Sequence, residues 1–323
     1  MSMSLRTIVA ASAAALVFAT GCGEKQQMLS ITTGGTGGVY YPLGGALANV
    51  LTEKMAGFQV TSEVTGGSVD NLKLVGSHQA DMGFAMVDAA FDALKGRDRF
   101  DGKPMPIRAL AVLYPNRMHA VTTQQTGIRN ISELAGKRVS VGSPGSATEV
   151  MAVRILEAYG IDQSVRRERL SAVESVNALK DGKIQAFFFA AGLPTAAATD
   201  LAATPGLTIQ LLDHADAVPK LNAKYGPLYA AGIIPKDIYP GMAADANNVD
   251  VWNIMFANAD MQDELVREVL AIMFDNRGAL ELVHKDASQI RMENQALKIS
   301  PIPYHPAAIE FYRERGVTAE HAS

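Results

Sequence analysis

The chain has 323 residues, 48% of them hydrophobic, 19% charged and 7% aromatic, which is the composition of a globular protein and excludes extended disorder. The formal net charge is −4 and no block of basic residues stands anywhere in it. That argues against a nucleic-acid partner and against a strongly electrostatic membrane-surface site. At this length two lobes can each bury a core of their own.

Residues 1–21 hold one arginine, Arg6, followed by an uncharged run over 7–21 rich in Ala, Val, Leu, Ile and Phe, the pattern of an export signal. The apolar run is shorter than the roughly 20 residues of a membrane-spanning helix. It ends in Ala19-Thr20-Gly21-Cys22, which resembles the lipobox of bacterial lipoproteins. The expectation is a signal peptide over 1–21, cleavage before Cys22, acylation of that cysteine, a tether over 22–27 and a periplasmic location. Cys22 is the only cysteine, so no intramolecular disulfide can form.

Residues 28–32 read as a strand running into TTGGTGGVYYPLGG, where six glycines and a proline precede the helical run ALANVLTEKM. Glycine there either supplies unusual backbone angles or clears side chains so that something can approach the main chain. A helix over 38–54 follows, then a strand over 58–64, a helix over 68–76 opened by Gly66-Gly67-Ser68, and a strand over 80–85. Asp88 is placed to cap the next helix. Residues 92–106 are a polar loop, and 109–123 form two apolar runs split at Tyr114-Pro115-Asn116, which reads as a crossing between lobes. The pattern then restarts: strand 138–141, loop GSPGSAT, helix 148–159, a strand near Arg169, helix 173–179, strand 184–189 and loop 190–194. Residues 228–242 read as the extended return crossing. From 251 onward the reading is helical: 251–259, then 260–286 with Leu265, Val269, Ile272 and Met273 on one face, then a short amphipathic helix in the tail.

NLKLVGSHQADMGFA from Asn71 and NALKDGKIQAFFFAA from Asn177 match without gaps at Asn71/Asn177, Gly76/Gly182, Gln79/Gln185 and Ala80/Ala186. Repetition of one strand–helix plan predicts an α/β fold of two similar lobes, 28–115 with 231–323 and 116–230.

A helix start exposes about four backbone amides with no intrahelical acceptor and carries the positive end of the peptide dipole, so an anion can sit there. TGGTGG fits that use, as do Gly66 to Ser68 and GSPGSAT, whose Ser143, Ser146 and Thr148 add hydroxyls. Taken alone, TGGTGG also fits a tight strand-to-helix turn. No Lys follows the glycines as in a Walker loop, and Tyr40 stands where a dinucleotide fingerprint starting at Gly35 needs glycine. Tyr40 and Tyr41 instead offer flat faces suited to a small carbon skeleton. The six histidines show no HExxH spacing, and Ser143 and Ser146 lack a GxSxG elbow. DHAD at Asp213 reads as a solvated polar loop. No catalytic residue, metal or cofactor is expected.

TTGGTGGVYYPLGGALANVL, VTGGSVDNLKLV, QADMGFAMVDAA, ALAVLYP, GKRVSVGSPGSATEV, LKDGKIQAFFFAAGLP and PIPYHPAAIEFYRERG together resemble the TAXI family, in the same order over nearly the whole mature chain. Those proteins are extracytoplasmic solute receptors of tripartite ATP-independent periplasmic (TRAP) transporters. The resemblance implies a two-lobed, type II (Venus-flytrap) periplasmic binding protein. Such a protein closes on glutamate or a four- to six-carbon dicarboxylate and delivers it to TRAP membrane permease subunits driven by an ion gradient. By motif it assigns Thr36, Gly37, Gly38, Tyr40, Ser68 and Asn71 to the ligand site, with Asp88 and Tyr114 lining the cleft from the first lobe. From the second lobe it assigns Ser143, Gly145, Ser146, Thr148, Ala190, Ala191 and Gly192. In that scheme Tyr40 and Tyr114 cover the carbon chain, while Asp88 meets an amino group or simply caps its helix. Met86 departs from the family by placing an apolar side chain where a polar one is usual. The same fold would also serve a periplasmic sensor or surface interaction protein.

Overall fold

The computed structural model describes residues 26–321, so the expected signal peptide, Cys22 and most of the tether lie outside the described residues. Strand β1 (Gln27–Thr32) pairs in parallel with β2 (Phe58–Glu63) and β3 (Met82–Met86). Helix α1 (Tyr40–Lys54) joins β1 to β2 and buries Leu43, Leu47 and Leu51, spaced four apart on one face. Helix α2 (Ser68–Gly76) leads into β3, and α3 (Val87–Lys95) leaves it. The next strand, β4 (Ile107–Thr123), runs 17 residues without interruption through Tyr114-Pro115-Asn116.

The second half repeats the plan. β5 (Arg138–Ser140) is followed by α4 (Ala147–Ala158), β6 (Arg166–Glu168), α5 (Ala172–Lys180) and β7 (Ala186–Ala191), with β5 parallel to both β6 and β7. α6 (Ala196–Ala202), β8 (Ile209–Leu211), α7 (Val218–Tyr225) and β9 (Tyr229–Ile234) lead to β10 (Ala246–Asn258), and α8 (Asp263–Asp275), α9 (Arg277–Val283) and α10 (Pro306–Glu314) complete the chain. Strand order is β2-β1-β3-β10-β4-β7-β5-β6. Each half thus sets three parallel strands beside one long antiparallel strand, β10 against β3 and β4 against β7. The gap-free repeat falls on α2–β3 and α5–β7, the equivalent unit of each half.

The expected helix over 251–259 is instead the second part of β10. Val251, Ile254, Met255 and Phe256 are all buried, so both faces of β10 are covered, and such a strand reads as an unbroken apolar run with no period of two. In α8 the buried stripe is Val266, Val269, Leu270 and Met273; Leu265 and Ile272 are half-buried. Ile234, Tyr239 and Ala246 share a core with Val176, Leu179, Phe187 and Leu201. Among the described residues no helix is long and apolar enough to cross a membrane.

Candidate functional site: a cavity between the halves

A cavity of about 320 Å³ lies between the halves, near the lower end of the roughly 300–1,000 Å³ of small-molecule sites. Its wall is made of helix beginnings. The first half contributes Gly34 to Tyr40 ahead of and opening α1, and Val64 to Ser68 opening α2; the second contributes Gly142, Ser143 and Ser146 to Thr148 opening α4, and Ser171 to Val173 opening α5. Met86, Asn116 and the end of β7, Phe189 to Ala191, complete it. Four helix N-termini, two from each half, therefore border one space, each bringing the partly positive end of its peptide dipole to the wall.

Most hydroxyls in this wall hold the turns in shape. Ser146 caps α4: its Oγ accepts from the Glu149 amide at 3.1 Å and donates to the Ser143 carbonyl at 2.7 Å. Thr148 Oγ1 accepts from the Ala190 amide at 3.2 Å, fixing the end of β7, and Ser68 Oγ accepts from the Met86 amide at 3.1 Å. Tyr40 donates its hydroxyl to Asn253 Oδ1. Burial, helped by the charge of Asp88, pushes the Tyr40 phenol far above its ordinary pKa, so it stays protonated.

The halves are in contact around the cavity. The Asp70 amide donates to the Gly145 carbonyl at 3.1 Å, and the Ala197 amide to the Gly37 carbonyl at 3.4 Å. A side chain on Gly66 would overlap the Pro144 carbonyl of the other half, and Gly145, at φ +77°, sits where any Cβ would strike the Asp70 carboxylate. To one side, Arg154 of α4 reaches across to α3. It bonds Asp92, lies 3.3 Å from Asp98 and 3.9 Å from Asp88, donates to Tyr229 Oη at 2.9 Å and stacks on the Tyr225 ring at 4.1 Å. Arg154 is only 4% exposed. Burial raises the Asp88 and Asp92 pKa values, against the opposing pull of Arg154.

Of the residues singled out in the sequence, the structure brings Thr36, Gly37, Gly38, Tyr40, Ser68, Ser143, Ser146, Thr148, Ala190 and Ala191 together in the cavity wall. Five others stand elsewhere. Asn71 is buried behind the wall, donating to the Thr33 and Phe84 carbonyls at 2.6 and 2.8 Å. Asp88 belongs to the Arg154 cluster; it lies inside the first turn of α3, whose cap position is Met86, and accepts from Tyr229 Oη at 2.9 Å. Tyr114 is fully buried in β4 rather than laid along the cleft. Gly145 forms the seam with Asp70, and Gly192 packs against Asp286, whose carboxylate accepts from the Leu193 amide at 2.7 Å. Within DHAD, Asp213 accepts from the Asn247 amide at 2.8 Å, tying the loop to β10.

Sequence reasoning missed Asn116, Phe189 and the fourth helix beginning at Ser171. The last had a signal: Ser171 and Glu174 form a reciprocal capping box, the S-x-x-E pattern of a helix start.

Fold and cavity together define a two-lobed α/β protein with a cavity between its halves. The chain belongs to the NMT1-like family, whose sequence model matches residues 31–316. It is similar in structure to a protein of Bordetella bronchiseptica RB50, with TM-score 0.51, 16% identity, and 90% of this chain and 89% of that chain covered. A protein described as a periplasmic transporter matches with TM-score 0.51 and 14% identity over 89% of this chain and 92% of its own. A putative L-cystine ABC transporter from Listeria monocytogenes matches with TM-score 0.49 and 14% identity over 82% and 96%. At these identities the likeness is one of fold.

Proposed function

We propose that the chain is the extracytoplasmic solute receptor of a TRAP-type secondary transporter. It is exported by residues 1–21, anchored through lipid on Cys22, and binds a small carboxylate between its lobes for delivery to membrane permease subunits. The observation that carries this reading is the convergence of four helix N-termini, two from each half, on one cavity between the halves. An anion there would accept hydrogen bonds from both halves at once, so its binding favours the closed form over an open one. The shift is limited by the difference in its affinity for the two. The TAXI motifs support the TRAP assignment, and the likeness in fold to a protein described as a periplasmic transporter is in keeping with an extracytoplasmic role.

The test is a thermal-shift screen of the mature protein against small mono- and dicarboxylates, amino acids, sugars and divalent metals. A ligand at a hundred times its Kd stabilises by about 2.7 kcal/mol, and the expected hits are small acids. A response to sugars or metal ions alone overturns the reading. Reconstituted uptake that requires ATP rather than an ion gradient overturns the TRAP assignment.

A further inference from the structure

We infer that Arg99 and Glu149 form a releasable ionic latch that holds the two halves together beside the cavity. This rests on the opening and closing of the receptor reading above and names a contact that controls it. Glu149 stands in the first turn of α4, the helix whose beginning borders the cavity, and its amide donates to the capping Ser146 Oγ. Its Oε1 accepts from Arg99 Nη2 at 2.9 Å. Arg99 belongs to the helical turn Asp98–Phe100, which follows α3 in the first half. The pair therefore runs from one half to the other within a turn of the cavity wall.

What each charge keeps when the halves part makes the contact releasable. Glu149 is also held by Arg169 of its own half, whose Nε lies 2.8 Å from Oε1 and whose Nη2 donates to Oε2 at 3.1 Å. Arg99 has Asp98 beside it at 3.8 Å, and its side chain is 42% exposed, so water can replace Glu149. Separation thus leaves neither charge buried and unpaired, which is what makes breaking a buried pair costly. Arg154 is the contrast: it is buried, and drawing it away from α3 would strip Asp92 of its cation. Arg154 also bonds Tyr229, whose strand pairs at Val251 with the crossing strand β10. It suits a fixed point of the motion, and Arg99 with Glu149 suits the part that opens. An ion pair with one partner this exposed is screened by salt, so the latch should weaken as ionic strength rises.

The experiment measures the separation of two nitroxide labels by electron–electron double resonance, with no solute added. Cys22 is the only cysteine, so the mature chain carries Cys22→Ser together with Glu53→Cys and Asn177→Cys. Both labelled positions are exposed and lie towards the far ends of α1 and α5, whose beginnings border the cavity, so the labels move apart when the halves do. At about 50 mM salt a short separation should be populated. Arg99→Gln, or about 500 mM salt, should raise the ratio of long to short separations at least about twofold. Arg99→Lys keeps the charge and should give less than half the shift of Arg99→Gln. Arg138→Gln, which breaks the exposed pair with Glu168 inside the second half, should give none. Four results would overturn the latch: only a long separation in the labelled parent, no shift with Arg99→Gln, an equal shift with Arg99→Lys, or an equal shift with Arg138→Gln. Each leaves the receptor reading standing, since the solute screen tests that reading without reference to the latch.

Discussion

Gly37 offers the sharpest test of closure. A Cβ built there would lie 3.2 Å from Val173 Cγ2, 3.3 Å from Ala172 Cβ and 3.4 Å from Ala197 Cβ, all three in the other half. Carbon atoms at rest sit about 3.5–4.0 Å apart, so Gly37→Ala creates two overlaps of a few tenths of an ångström, with Val173 and Ala172, when the halves are together and none once they separate. Overpacking costs about 1–3 kcal/mol. Alanine belongs at the lower end, which lowers affinity about fivefold; Gly37→Val, with two further methyl groups, belongs at the upper end, a loss of about a hundredfold. Calorimetry with the acid returned by the screen reads the affinity, and melting without ligand reads stability. Affinity should fall in the order Gly, Ala, Val while the ligand-free melting temperature barely moves. Unchanged affinity, or a ligand-free melting temperature that falls in step with it, would refute the closure argument.

Replacing Arg154 with Met leaves Asp92 and Asp88 buried without their cation and should destabilise the fold by about 3–5 kcal/mol in urea titration; a change below 1 kcal/mol would show the cluster to be dispensable. Tyr40→Phe strips the donor from Asn253 Oδ1 and should cost about 1–3 kcal/mol of stability by the same measurement. His119 is buried, and burial lowers its pKa to about 4 although the Arg117 and Phe189 carbonyls oppose the shift. The unfolded chain takes up this proton below about pH 6.5 and the folded chain only near 4, so its contribution is present above 6.5 and is lost as pH falls towards 4, about 3 kcal/mol in all. His214, also lowered by burial, acts in the same sense, whereas Asp88 and Asp92, raised by burial, act in the opposite one. The His119 share is therefore read as the difference in pH slope between wild type and His119→Gln, and identical slopes would contradict the assignment.

The parts of the site that could be read from the sequence are those governed by neighbours along the chain. Glycine and hydroxyl residues ahead of a helical run mark a helix beginning wherever it lies in space, and TGGTGG, GGS and GSPGSAT all reached the cavity wall. What could not be read depends on partners far off in sequence. Asp88 looks like a cap or a ligand until Arg154, 66 positions later, and Tyr229 are seen to claim it. Tyr114 has the chemistry of a ligand platform but is fully buried within β4. The helical reading of 251–259 failed for a related reason: a strand buried on both faces loses the alternation that would identify it. Asn116 gave no local signal, since nothing in its flanks tells which side of β4 opens into a cavity.

The sharing of β4 and β10 has a consequence for how the chain is assembled. Each half is completed by a strand delivered through the other, and β10, which fills the gap between β3 and β4, begins only at residue 246. A nascent or truncated chain that stops before that point holds three parallel strands with one flank open, however well its earlier helices have formed. Neither half is then a free-standing unit, and the last quarter of the polypeptide decides when the whole molecule can close its framework.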